Sequence, residues 1–135
     1  MRRVLLALAL ASVLVPGSQA LAFKQIADQF KGKYAGDEAN ADFKELVKKA
    51  GCNVCHVKGE DKKKVRNPYG NALHEALEEA EFPVADFKKN PEKYAEKLKE
   101  IMTKVEEEKC KDEEHKTFGA RIKANLLPGG DVDGK

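Results

Sequence analysis

Three of the six Cys and His residues in this chain stand within five positions, as Cys52-Asn53-Val54-Cys55-His56, a C-x-x-C-H arrangement. On a helical turn this spacing presents both sulfurs to one side, where each can form a thioether with a porphyrin vinyl group. The next residue then aims its imidazole at the iron. With three Cys and three His in 135 positions, chance placement of this pentapeptide is about one in a thousand. The chemistry it points to is one covalently attached haem c, with Cys52 and Cys55 as thioether sites and His56 as proximal iron ligand.

Other uses of the same atoms have requirements of their own. A thioredoxin-like dithiol needs its C-x-x-C beside a βαβ pattern, and no convincing strand run is present. A closed zinc site built from Cys52, Cys55, Cys110 and His115 has ligand-like spacing. Exposed thiols in an oxidising compartment, however, are poor long-term zinc ligands.

An oxidising compartment is what the first residues imply. Met1-Arg2-Arg3 is a positive n-region, residues 4–14 are an unbroken run of Val, Leu, Ala and Ser, and Pro16-Gly17-Ser18 ends it. This is the pattern of a signal peptide over residues 1–22, with Ala20-Leu21-Ala22 as the cleavage signal; Ser18-Gln19-Ala20 would serve two residues earlier. Eleven apolar residues fall short of the ~20 a membrane span requires, so no stable membrane insertion is expected. The chain is read as exported, to the periplasm or another extracytoplasmic space, where haem c is attached in bacteria.

Residues 23–135 then form one domain. They carry 23 basic and 23 acidic residues, and this neutrality argues against nucleic acid as partner. Only 22 of the 113 are Leu, Ile, Val or Phe, a thin supply for a core. A large apolar cofactor would supplement it, since three cysteines allow at most one internal disulfide.

The elements that must position the motif read as helices. Phe23, Ile26, Ala27 and Phe30 suggest a short helix or packed arm. Asn40 or Asp37 can cap a helix bearing Phe43, Leu46, Val47 and Ala50, which runs through Gly51 into the motif. Residues 57–66 read as a charged surface loop. Asn67-Pro68 opens a helix with Tyr69, Ala72, Leu73, Ala76, Leu77 and Ala80 on one face. Asn90-Pro91 opens what should be the longest helix, with Tyr94, Leu98, Ile101, Met102 and Val105 in a stripe. Thr117 caps a last short helix carrying Phe118, Ile122 and Leu126, and a polar tail from about residue 128 is expected to fray.

An exported chain with one helix leading into C-x-x-C-H, a lysine-rich loop and further helices resembles the small single-haem c-type cytochromes over most of residues 23–135. The resemblance implies an all-α, cytochrome c-like domain wrapped around one covalent haem, an electron carrier rather than an enzyme. It also implies a second iron ligand, usually methionine and less often histidine. Three residues offer themselves. Met102 lies on an apolar stripe and follows His56 by 46 positions, a separation the family often uses, although core filling is the commoner role for such a methionine. His74 lies about 120° from the middle of its helix's apolar stripe and should face water. His115 sits in a charged stretch. Where many relatives ligate through a Met-Pro pair near the end, this chain has Leu127-Pro128. With no second ligand the iron would be five-coordinate and open to a small gas or peroxide, a sensor or peroxidase-like reading, although no distal acid–base pair is recognisable.

Between Lys44 and Arg66 eight basic residues face three acidic ones, while residues 75–114 carry fourteen acidic and eight basic. The basic rim Lys58–Arg66 would therefore receive the acidic face of a redox protein. Asn67 and Tyr69 are expected at the haem edge. Cys110 is left over as a solvent-facing thiol between Lys109 and Lys111.

Overall fold

The structure is a computed structural model that describes residues 20–135. The leader proposed above falls outside the described residues, save for 20–22 at the start of the first helix. Six α-helices follow in order: α1 Ala20–Tyr34, α2 Ala41–Ala50, α3 Pro68–Glu79, α4 Val84–Lys89, α5 Ala95–Glu106 and α6 Phe118–Lys123. Two 3-10 turns, Gly51–Val54 and Glu92–Tyr94, join them, and among the described residues there is no strand, only isolated bridges at His56–Arg66 and Lys109–Thr117. The all-α expectation holds at this level. Among the described residues no helix is long and apolar enough to cross a membrane.

Local chemistry explains where the helices start. Asn40 Oδ1 accepts from the backbone N–H groups of Asp42 and Phe43 at 2.9 and 3.2 Å, Asn67 Oδ1 from Gly70 at 2.9 Å, and Thr117 Oγ1 from Ala120 at 3.1 Å. Each satisfies a donor that the first turn leaves unpaired. Pro68 follows Asn67 at the first helical position, where its missing N–H is no loss.

Helices α3 and α5 form the centre, with α1 laid across α4 and α5 and α6 closing on α5. Their shared core includes Phe30, Phe43, Val47, Tyr69, Leu73, Phe87, Leu98, Met102, Val105 and Phe118. Tyr69 anchors it, its ring edge-on to Phe30 and Phe118 at centroid distances of 5.7 and 5.4 Å.

Three expectations give way here. Asn90-Pro91 does not open a long helix: Asn90 Nδ2 donates to Asp86 instead of capping, a 3-10 turn intervenes, and α5 starts at Ala95. With 12 residues α5 is shorter than the 15-residue α1, and the six-residue α4 was too short for its periodicity to register. The tail does not fray either. Leu127, Pro128 and Gly129 are buried, Arg121 Nε donates to the Leu127 carbonyl at 2.8 Å, and residues 132–134 pack on the C-x-x-C-H turn. Cys110, expected to face water, is half-buried, and its thiol donates to the His115 carbonyl at 2.8 Å.

Candidate functional site

The motif is placed by a helix end. At Gly51 the backbone takes φ +54°, a left-handed conformation that costs glycine little, and its N–H closes on the Val47 carbonyl. That turn ends α2 and starts the 3-10 segment Gly51–Val54, just after which Cys55 and His56 both donate their N–H groups back to the Cys52 carbonyl, at 3.2 and 3.1 Å. One turn of chain thus carries both sulfurs and the imidazole.

A second set of contacts holds this turn from behind. Asn67, 1% exposed, donates from Nδ2 to the carbonyls of Asn53 and Val54, both at 3.0 Å, while Oδ1 caps α3. The Asn67 N–H donates to the Cys55 carbonyl at 3.0 Å. Gly70 then lets α3 lie directly on the motif, since a Cβ there would stand 2.0 Å from the Cys55 oxygen. The tail covers the other side: Asn53 Nδ2 donates to the Val132 carbonyl, Lys58 pairs with Asp133, and a Cβ at Gly134 would meet the His56 oxygen at 2.0 Å.

His56 is 5% exposed and its Nδ1 lies 3.1 Å from the Val65 carbonyl. A carbonyl only accepts, so Nδ1 carries the proton and Nε2 the lone pair. Burial pushes the imidazole below its ordinary value; the nearby cations Arg66 and Lys62 add to this, against the opposing pull of the Val65 bond. The ring is therefore neutral at pH 7, the form that binds a metal. A fixed Nδ1–H is also the usual outer support of a histidine ligand.

Cys52, Cys55 and His56 all line one cavity of about 470 Å³, within the ~300–1,000 Å³ typical of cofactor sites. Its inner wall is apolar: Ile26 and Phe30 from α1, Val47 from α2, Val54 from the motif, and Leu73 and Leu77 from α3. Its mouth carries Lys24, Lys31, Lys62, Lys63 and Arg66 against Glu60 and Asp61. Cys52 is exposed, while burial, reinforced by the proximity of Cys52, pushes the Cys55 thiol up to about 12, so that it is protonated. A covalently held haem fits this donor set: two thiols and a neutral, tautomer-fixed imidazole on the rim of an apolar cavity with cations at its mouth.

The other residues singled out from the sequence scatter. Met102 is wholly buried on the α5 stripe and does not line the cavity. Its neighbours Leu98, Ile101 and Val105 share the same buried face, so the methionine fills the core. Tyr69 and Asn67 lie behind the motif instead of at a cavity edge. His115 Nδ1 lies 3.5 Å from Asp112 Oδ2 in the loop before α6, away from the cavity wall. Cys110 and His115 do not join Cys52 and Cys55, and among the described residues no group of three or more His, Cys, Asp or Glu could hold a metal ion.

His74 moves the other way. It lies on the cavity wall with Gly70, Leu73 and Leu77, its side chain 42% exposed. The cavity sits on the flank between the apolar stripe of α3 and solvent, so a side chain well off that stripe lines it. The α1 wall, the Gly70 contact and the covering tail also escaped sequence reasoning. Only Ile26, Ala27 and Phe30, with their helical spacing, offered a signal. No family model, no curated protein and no solved structure matches this chain, so its functional reading rests on the residues just described.

Proposed function

We propose that this protein carries electrons on a single haem c, joined to Cys52 and Cys55 and ligated by His56, in a domain of cytochrome c type. The observation that supports it most is the placement of Cys52, Cys55 and His56 on one cavity with an apolar inner wall, with His56 Nδ1 committed to Val65. When bound, haem supplies a one-electron iron couple.

The chain's own part is positioning and exclusion. Asn67 and Gly70 hold the motif turn, His56 offers a neutral nitrogen in one tautomer, and Ile26, Phe30, Val47, Leu73 and Leu77 keep water from the buried side. Lys62 and Lys63 at the mouth supply a positive rim for an acidic redox partner. This favours fast encounter and fast release. Attachment outside the cytoplasm agrees with the leader-like residues 1–22, and the proposed location is the periplasm or an equivalent space.

Voltammetry of protein matured with haem c machinery tests the function. A reversible one-electron couple is expected, with transfer to an acidic partner slowing as salt is added. An irreversible couple, or peroxide turnover at the iron, would contradict electron carriage.

A further inference from the structure

Resting on the haem reading above, we propose that His74 would supply the second protein ligand to the haem iron, with His56 as the first. Side chains that usually ligate haem iron are imidazole, thioether, thiolate and phenolate. Among the described residues lining the cavity, the two sulfurs belong to Cys52 and Cys55, which the thioethers would use, and no methionine or tyrosine is present. His56 and His74 are the two imidazoles. The lysines at the mouth are exposed to solvent.

The two imidazoles reach the cavity from different elements. His56 follows the 3-10 turn, whereas His74 stands one helical turn beyond Gly70, the residue that seats α3 on the Cys55 carbonyl. Four residues advance about 6 Å along a helix axis, so His74 rises along the wall from the point where α3 touches the motif. Little competes for its ring. Its Nε2 lies 3.5 Å from Glu78 Oε1, long for a hydrogen bond, and Glu78 is 70% exposed. By contrast Met102 would have to leave a fully buried site between α5 and its neighbours to reach iron.

Absorption and electron paramagnetic resonance spectra of the matured holoprotein test this assignment, with His74→Ala and Met102→Leu beside it. The expected wild type is low-spin without a far-red sulfur-to-iron band. His74→Ala, at a half-exposed position, should keep its covalent haem, turn predominantly high-spin and return to low-spin when imidazole is added. Met102→Leu should leave the spectra unchanged, and His74→Met should raise the midpoint potential, as thioether ligation does. A sulfur-to-iron band abolished by Met102→Leu, an unchanged low-spin His74→Ala, or a wild type already high-spin would each overturn the assignment while leaving the haem in place. A wild type without covalent haem would overturn the underlying reading and this ligand with it.

Discussion

Replacing Asn67 separates the two jobs that one buried amide performs. Its oxygen caps α3 and its nitrogen ties Asn53 and Val54 to that cap. In Asn67→Ala the cap is lost, at about 1 kcal/mol. Two carbonyls also lose their donor in a site that is 1% exposed, each at about 1–3 kcal/mol. The sum is roughly 3–7 kcal/mol, a large part of the ~5–15 kcal/mol that stabilises a typical domain. A domain of this size should lose more than about 10 °C in Tm. Asn67→Asp discriminates further, because Asp caps as well as Asn but has no N–H to donate and sets carboxylate oxygen against two carbonyls. It should therefore be at least as damaging as alanine. Asn40→Ala, which removes a cap at an exposed position, should cost only about 1 kcal/mol. Thermal and guanidinium unfolding followed by far-ultraviolet circular dichroism measures all three. An Asn67→Asp protein within about 1 kcal/mol of wild type would refute the clamp.

Other perturbations reach different parts of the molecule. Gly70→Ala forces a methyl against the Cys55 oxygen and should cost at least the ~1–3 kcal/mol of an overpacked core, with reduced haem incorporation read from the ratio of haem to protein absorbance. Asp112 accepts from the His115 and Glu114 N–H groups and pairs with Arg121, which hold its carboxyl at about 2 against an ordinary 3.8. A depressed carboxylate stabilises fully above its unfolded value, and that contribution vanishes as pH falls through the folded one. The stability gap between wild type and Asp112→Asn should therefore be constant above about pH 5 and close between about pH 4 and pH 2 in acid-unfolding curves. Finally, Cys52→Ala/Cys55→Ala cannot retain covalent haem and leaves the 470 Å³ cavity to water. Circular dichroism should show much of the helix lost or melting without cooperativity, and a fully helical, cooperative apoprotein would count against the cofactor as part of the core.

The caps on α2, α3 and α6 were legible because Asn40, Asn67 and Thr117 act within three residues of themselves, where sequence is a direct record of geometry. The motif was legible for the same reason. What the sequence hid was long-range. Nothing local distinguishes Asn67 as a cap from Asn67 as a clamp on residues 13 and 14 positions earlier. The tail looked frayed because Gly129, Gly130 and Gly134 lack side chains, yet a Cβ at Gly129 would meet the Asn67 amide at 2.2 Å. Those glycines permit close packing onto the motif. His74 lies on the cavity wall and Met102 does not, because apolar periodicity identifies the core face of a helix but not a cavity on its flank.

Whether haem is covalently joined to Cys52 and Cys55 is decided most directly by the mass of the chain. After co-expression with haem c maturation machinery and extraction in acidified acetone, the denatured protein should retain the added mass of one haem, located by peptide mapping to residues 52–56. The Cys52→Ala/Cys55→Ala variant should lack it. A chain that emerges with unmodified thiols and no haem would contradict the proposed cofactor and the electron carriage built on it.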